Sequence, residues 1–419
     1  MLTYALLGYG QRGKFYVEAM MQHKETELVA VCDFNEKKLK FAQKKYNLGE
    51  ENCYLSDEAF FQKGKIADLL FIATMDQYHY AEAEIALKLG YDLVLEKPIA
   101  RTEEQCRELE RLAESLHRRV YVCHVLRYAP IYTSIKEMLD SGRFGDVVSI
   151  SSTEYVGWWH QAHSYVRGNW RNTKETTPMI VAKCCHDLDL LVWLIGKNCK
   201  TVSSFGSLTF FNRENAPEGC ADYCFKCKYR ETCLYNCIKF YTRCPDFAFA
   251  SGRYLGDPND KQAIEQCFSD ESNPYARCVF KCDNDAVDHQ VVDLLFEDGV
   301  TAQLTMTAFC EGGIRTMKLY CTKGEIEASM LDNNIKYSIF NPDRPDKPER
   351  KEFHVSVGET FGGHGGGDER MIDDIVDDIL GKGKSKHLTT LDKSVSSHII
   401  GFKADESRLH NGKAISINK

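Results

Sequence analysis

Three side chains in the sequence can carry protons, and each is held by its neighbours. Lys97 stands in Leu93-Val94-Leu95-Glu96-Lys97-Pro98. The apolar run reads as a buried strand. Pro98 stops it and restricts the backbone of the residue before it. A lysine so held at the carboxyl end of a parallel strand sits where open α/β sheets bind ligands. Lys183 and His186 lie three apart in Ala182-Lys183-Cys184-Cys185-His186, which on a helix points them the same way. An amine and an imidazole that meet at one place can take a proton from a hydroxyl and return it. The bland alternatives are a solvated lysine at a turn and a structural histidine.

Oxidation of an alcohol also needs a hydride acceptor, and the N-terminus carries a pattern for one. Gly8-Tyr9-Gly10-Gln11-Arg12-Gly13 follows a short apolar strand, 3–7, and precedes a helical stretch, 14–21. In this setting the first glycine allows a tight turn and the second a close approach of pyrophosphate. The third lets the helix pack on the strand, with its N-terminus facing the phosphates. A second strand, 28–32, ends at Asp33. An acid there can bond the ribose hydroxyls and repels a 2′-phosphate, which favours NAD over NADP. Arg12 keeps NADP open, and Asp33 could equally cap the helix that follows.

These groups need a frame. Helices are expected at 36–46, 78–89 and 103–116, and strands at 68–73, 91–96 and 120–123. Alternating strands and helices make a parallel, doubly wound sheet. The 419 residues are enough for two domains with cores of their own. Further on, 147–155, 291–296, 301–307, 317–321 and 324–330 alternate as half-buried strands. Asp298-Gly299 and Lys323-Gly324 fall at hairpin turns.

The net charge of −8, with both signs interspersed, marks no nucleic-acid or anionic-membrane surface. No run of about 20 apolar residues can span a bilayer. The stretch Met1–Gly8 lacks the basic start of a signal peptide. A cytoplasmic location is therefore expected, with most of the 18 cysteines reduced and buried.

The glycine loop, Asp33, Ala73-Thr74 with His79 five residues on, Glu96-Lys97-Pro98 and Arg127-Tyr128-Ala129-Pro130 share an order and spacing. In these the chain resembles the Gfo/Idh/MocA family (glucose-fructose oxidoreductase, inositol dehydrogenase, rhizopine catabolism). The likeness is close over the first 195 residues and holds in outline beyond. It implies an α/β fold: a doubly wound Rossmann domain, residues 1–125, and an α/β domain, residues 126–419, around a large, mostly antiparallel open sheet. It implies cofactor contacts at Gly8, Tyr9, Gly10, Gln11, Arg12, Gly13, Asp33, Ala73, Thr74, His79, Glu96, Lys97 and Arg127. It also implies a carbohydrate substrate and a homodimer or homotetramer.

The second domain opens on Gly157-Trp158-Trp159-His160-Gln161-Ala162-His163-Ser164-Tyr165-Val166-Arg167-Gly168-Asn169-Trp170-Arg171. Aromatic faces and planar donors suit a sugar ring and its hydroxyls, and an arginine can clamp a carboxylate. Trp159, His160, His163, Tyr165, Arg167, Trp170 and Arg171 are therefore candidate substrate contacts, with a packed connecting loop as the alternative. His124, after the strand at 120–123, joins them.

A helix is expected over 177–195, its apolar stripe at Val181, Cys184, Leu188, Leu191 and Ile195. By the resemblance this helix carries the catalytic histidine, and His186 matches it, with Asp189 and Trp193. Many family members have an aspartate four residues before that histidine; here the position is Ala182. Lys183 is then a substitute contact to substrate and a third candidate catalytic group beside Lys97 and His186. A cationic nicotinamide beside Lys97 would favour its neutral amine. Whether Lys97 or His186 is the base stays open.

Residues 212–284 break the pattern as a cysteine-rich insertion. Cys220, Cys224, Cys227 and Cys233 have spacings that can surround zinc or an iron–sulfur cluster in a structural role, with Cys278 and Cys282 as further donors. Reduced thiols are the alternative. The glycine-flanked His364 precedes an acidic helix, 369–380, and the resemblance puts it near the cofactor.

Three functions follow. The first is NAD-dependent oxidation of a secondary alcohol on a sugar, inositol, sugar acid or glycoside. The second is a redox-neutral cycle in which transient oxidation cleaves a glycosidic or anhydro bond. The third is a sugar or NAD sensor without catalysis.

Overall fold

The structure, a computed structural model, describes residues 1–417 apart from 361 and 384. Its first sheet is made of β1 (Leu2–Leu7), β2 (Thr26–Cys32), β3 (Cys53–Tyr54), β4 (Leu69–Ile72), β5 (Asp92–Leu95) and β6 (Val120–Val122). All pairs are parallel, in the order β3-β2-β1-β4-β5-β6. The strands are mostly apolar because helices cover both faces. The order reverses between β1 and β4, so a crevice opens at their carboxyl ends. The glycine loop leaves β1 there, and Lys97 lies just past the end of β5.

The second sheet holds β7 (Val147–Tyr155), β8 (Cys199–Ser207), β9 (His289–Phe296), β10 (Thr301–Thr307), β11 (Ile314–Cys321), β12 (Gly324–Ser329), β13 (Asn334–Ile339), β14 (Glu349–His354) and β15 (Ile415–Ser416). Its order is β14-β13-β12-β11-β7-β10-β9-β8-β15. β7 and β10 run parallel, and the other pairs are antiparallel. The turn from β9 to β10 has Asp298 at φ 56° and Gly299 at φ 76°. A tight hairpin asks for two such left-handed residues.

Two departures from the sequence reading matter for the site. The helix expected over 177–195 is broken: Met179–Ala182 ends at Lys183, and a new helix, Cys185–Ile195, begins after Cys184. The C-terminal segment also returns to the first sheet. Met371, Ile372, Ile375 and Val376 of helix Gly367–Ile379 pack with Tyr4, Leu6 and Tyr16. Helix Leu391–Leu409 sends Leu391, Val395 and Ile399 into the first domain's core, and Ile400 and Ala404 into the second's. The first of these helices covers the first sheet, and the second ties the two sheets together. Among the described residues no helix is long and apolar enough to cross a membrane.

Candidate active site

The glycine loop shows its purpose in its contacts. Gly8 has φ +89°, and a Cβ there would stand 2.5 Å from the Ala73 carbonyl oxygen. A Cβ at Gly13 would lie 2.0 Å from the Gly8 carbonyl oxygen. One at Gly10 would meet no protein atom within 4 Å. Two glycines thus serve the protein's own packing, and the third leaves its backbone open from outside. Asp33 ends β2 with Oδ2 accepting from the Tyr9 amide at 2.8 Å and Oδ1 from the Asn35 amide at 2.8 Å. Asn35, not Asp33, caps the next helix. An open glycine backbone, a helix start at Gln11 and a fixed carboxylate fit a dinucleotide.

This separation of roles predicts different outcomes for two alanine substitutions. Gly13→Ala should destabilise the fold. Gly10→Ala should leave the melting temperature unchanged yet weaken NAD binding by about 1.4 kcal/mol or more, a factor of about ten. Thermal denaturation and calorimetric titration with NAD read the two effects. Wild-type affinity in Gly10→Ala would remove this loop from the cofactor site.

Lys97 extends from the end of β5, and its Nζ donates to the Ala182 carbonyl oxygen at 2.9 Å. The helix break explains that acceptor. In a continuous helix the Ala182 carbonyl would accept from the His186 amide; here it is released at the break and faces Lys97. A backbone oxygen thus holds the lysine at Ala182, where the resemblance implies an aspartate.

Beneath Lys97, Glu96 accepts from Arg12 Nε at 2.8 Å and from the Tyr16 hydroxyl. Arg12 also reaches Asp368 at 2.8 Å. Burial opposes the Glu96 charge, but Arg12 and Lys97 hold its carboxyl below the usual range. Arg12 is thereby committed to two carboxylates on different segments. His79 fixes the other side, with Nδ1 2.7 Å from the Pro98 carbonyl oxygen and Nε2 3.2 Å from that of Thr74. The Thr74 hydroxyl is bound to Glu82.

His186 is buried, and its Nδ1 has no hydrogen-bond partner. Its ring lies 5.7 Å from His124 on one side and 5.7 Å from His364 on the other. His124 in turn lies 5.3 Å from His398, whose Nε2 accepts from the Ile99 amide at 3.1 Å. Burial, then the charge of Lys97, pushes the His186 imidazole well below its ordinary pKa. His160 is pushed the same way, by burial and then by Lys183. These imidazoles are therefore neutral, each able to donate from one nitrogen and accept at the other.

Lys183 belongs to a second charged group. Its Nζ is 3.4 Å from Glu154 Oε1, and Glu154 Oε2 is 2.8 Å from Arg315. Arg315 Nε donates to Asp187 Oδ1 at 2.7 Å. Two cations and two carboxylates thus alternate under the site. The site therefore gathers Lys97, His124, His160, Lys183, His186 and His364, with Tyr165, whose ring is 5.8 Å from His160.

Three comparisons bear on this arrangement. Residues 2–124 match an oxidoreductase family with an NAD-binding Rossmann fold, and residues 136–398 match the C-terminal alpha/beta domain of the same family. The chain belongs to the Gfo/Idh/MocA oxidoreductase family. YteT of Bacillus subtilis is 25% identical over 382 residues, 88% of this chain and 86% of YteT. Glycosyl hydrolase family 109 protein 3 of Phocaeicola vulgatus is 26% identical over 200 residues, 46% of this chain and 34% of that protein. Among solved structures, the WlbA dehydrogenase of Bordetella pertussis, in complex with NADH and UDP-GlcNAcA, aligns with a TM-score of 0.70 at 17% identity. That alignment covers 100% of this chain and 98% of WlbA.

Within this Gfo/Idh/MocA fold several expected ligand contacts are spent elsewhere. Arg127 is buried and forks onto Asp189 with two bonds of 2.6 Å, tying the interdomain segment to the helix of His186. Residues 161–167 form a π-helix that faces the insertion. His163 Nδ1 meets the Tyr241 hydroxyl at 2.8 Å, and Arg167 donates to the carbonyls of Arg277 and Tyr235 at 2.7 and 2.6 Å. Arg171 pairs with Asp283 at 2.9 Å. These three anchor the insertion, because a buried cation or ring nitrogen needs a partner and the insertion supplies it. Trp159 stacks on His160 and donates to the Glu311 carbonyl oxygen at 2.9 Å, and Trp170 packs on the second domain's core near Tyr165.

The possible metal centre among the cysteines is not supported. Among the described residues no three His, Cys, Asp or Glu are grouped to hold a metal ion, and all 18 cysteines are free. Cys224 lies 3.6 Å from Arg167 Nη2 and shares an apolar cluster with Cys237. That cation stands beside the Cys224 thiol. Cys220 and Cys278 share an apolar cluster with Phe211 and Phe280, while Cys227 packs against it. Cys233 is half-buried at the insertion's surface.

Sequence reasoning missed Arg315, Glu154 and Asp187. The signal was there: Arg315 is in phase with the inward Met317 and Leu319 of β11, and Glu154 with the inward Ile150 and Ser152 of β7. An arginine at an inward strand position requires a buried acid.

Proposed function

We propose that the protein is an NAD-dependent oxidoreductase acting on a secondary alcohol of a sugar, inositol, sugar acid or glycoside. The observation that carries this reading is the placement of Lys97 Nζ at the carboxyl end of β5. It is held by the Ala182 carbonyl and beside His186, on the crevice side of an open glycine loop. NAD, when bound, accepts the hydride from the carbinol carbon.

Lys97 exchanges the hydroxyl proton at Nζ. One of its donors is fixed on Ala182, which leaves the rest of the amine for substrate. His186, kept neutral by burial, orients the same hydroxyl. His160, Tyr165 and Lys183 line the substrate side. NAD is favoured over NADP because Asp33 is fixed where a 2′-phosphate would sit. Arg12, the cation of the glycine loop, is engaged by Glu96 and Asp368.

A second reading is supported by the relative named as a glycosyl hydrolase within an NAD-binding family. In it the same groups oxidise and then re-reduce one substrate, and a glycosidic or anhydro bond is cleaved between the two steps. Incubation with NAD and a panel of sugars, uronates and glycosides separates the readings. The first gives stoichiometric NADH, and the second gives cleaved product without net NADH. Neither NADH nor product across the panel would defeat both.

A further inference from the structure

The insertion does more than pack on the π-helix; it reaches the cofactor domain. Its helices enclose a core of their own around Cys237, Tyr241, Ile264 and Phe268. From that core the stretch 245–256 crosses to the two helices that start at the ends of β1 and β2. Lys14 Nζ, in the helix behind the glycine loop, lies 5.3 Å from the centroid of the Phe249 ring. A methyl at Gly252 would stand 3.4 Å from Lys38 Nζ.

Between the two sides lies a cavity of about 600 Å³, lined by Asn35, Glu36 and Lys37 and, across from them, by Arg253 and Leu255. Its size falls within the ~300–1,000 Å³ of small-molecule sites. The turn that presents Arg253 is built firmly. Ser251 and Tyr254 on either side are buried, and the Arg253 amide donates to Ser251 Oγ at 3.1 Å. The Tyr254 hydroxyl donates to the Asp257 carbonyl at 2.7 Å. The Arg253 side chain itself is exposed toward the cavity. Phe34, next to Asp33, is 83% exposed, a large apolar face at the same strand end.

We propose that the turn 252–256 is the outer wall of the adenosine end of the cofactor site. Arg253 contacts the adenosine half of the dinucleotide, and this contact slows its release. The proposal rests on the NAD-dependent reading above. An arginine suits the place because its planar cation can stack on a base and bond ribose or phosphate oxygens. A cofactor covered by a segment of the substrate domain stays bound through more than one chemical step, as a redox-neutral cycle would require.

Hydrogen–deuterium exchange of the full chain with and without NAD tests the wall. Protection should extend over residues 245–256 as well as 8–13. In parallel, Arg253→Ala, a change on the surface, should weaken NAD and ADP-ribose alike by about tenfold, the loss of one charge-assisted bond. Its NAD dissociation rate should rise by a similar factor. Protection confined to the glycine loop, or wild-type affinity and release in Arg253→Ala, would overturn the proposal. A wild-type protein that binds NAD while the variant is unchanged sinks this inference alone. A wild type that binds no NAD sinks the cofactor reading with it.

Discussion

Lys97→Met is expected to lower kcat by about 10²–10⁴-fold, the range for loss of a positioned proton carrier, while NAD affinity stays within a few-fold of the wild type. Methionine keeps the length and the packing of the stem and removes only the amine. The Ala182 carbonyl that Lys97 holds is at a helix break and can find water. The fold should therefore survive, and near-native melting with intact NAD titration would show that it has. A structural role would predict the reverse pattern, a lower melting temperature with activity lost in proportion. A Lys97→Met enzyme that turns over at half the wild-type rate would remove Lys97 from the chemistry and leave His186 as the candidate.

Arg315→Met should cost about 3–5 kcal/mol of stability, the usual result of breaking a buried ion network by removing one partner. Arg315 is 5% exposed and bridges Glu154 and Asp187, both almost completely buried. Burial already raises the Asp187 carboxyl above its ordinary range despite the bond to Arg315. Without the guanidinium the folded-state pKa rises further above its unfolded value. The penalty is then largest at high pH and is relieved as pH falls and the carboxyl protonates. Denaturant titration at several pH values reads this: the deficit should shrink on acidification. The triple change Arg315→Met with Glu154→Gln and Asp187→Asn should recover much of the loss. A deficit that is independent of pH would mean that packing, not charge, sets the effect.

Much of this frame was legible in the sequence where pattern and burial agree. Strands β7 and β10 fall within the expected 147–155 and 301–307, because one face of each is buried and their side chains alternate. Strand β14 was not expected. Its Glu349-Arg350-Lys351-Glu352-Phe353-His354 is exposed throughout, and the charges guard a sheet edge rather than mark a face.

The glycine loop was legible at Gly8 and Gly13, since each answers a local steric demand. The helix break at Lys183 was not. It is set by tertiary contacts, and the apolar stripe runs through it without a glycine or proline to mark the place. Polar residues were legible as important but not as to partner. Arg127, His163, Arg167 and Arg171 looked like ligand contacts, yet each finds a protein acceptor far along the chain. Arg12 shows the same limit, because its partner Asp368 is 356 residues away. Spacing along a sequence reveals a motif, whereas a buried charge pair across two domains becomes visible only when the fold closes.

The most direct measurement is rapid mixing of the NAD-loaded enzyme with a turned-over substrate from the panel, following the absorbance of reduced nicotinamide in a single turnover. The account predicts a rise in the wild type, lasting if the reaction is a net oxidation and transient if it is redox-neutral. In Lys97→Met the rise should be slower by about the same 10²–10⁴-fold. A substrate that is consumed with no reduced nicotinamide at any time, or a rise equally fast in Lys97→Met, would contradict it.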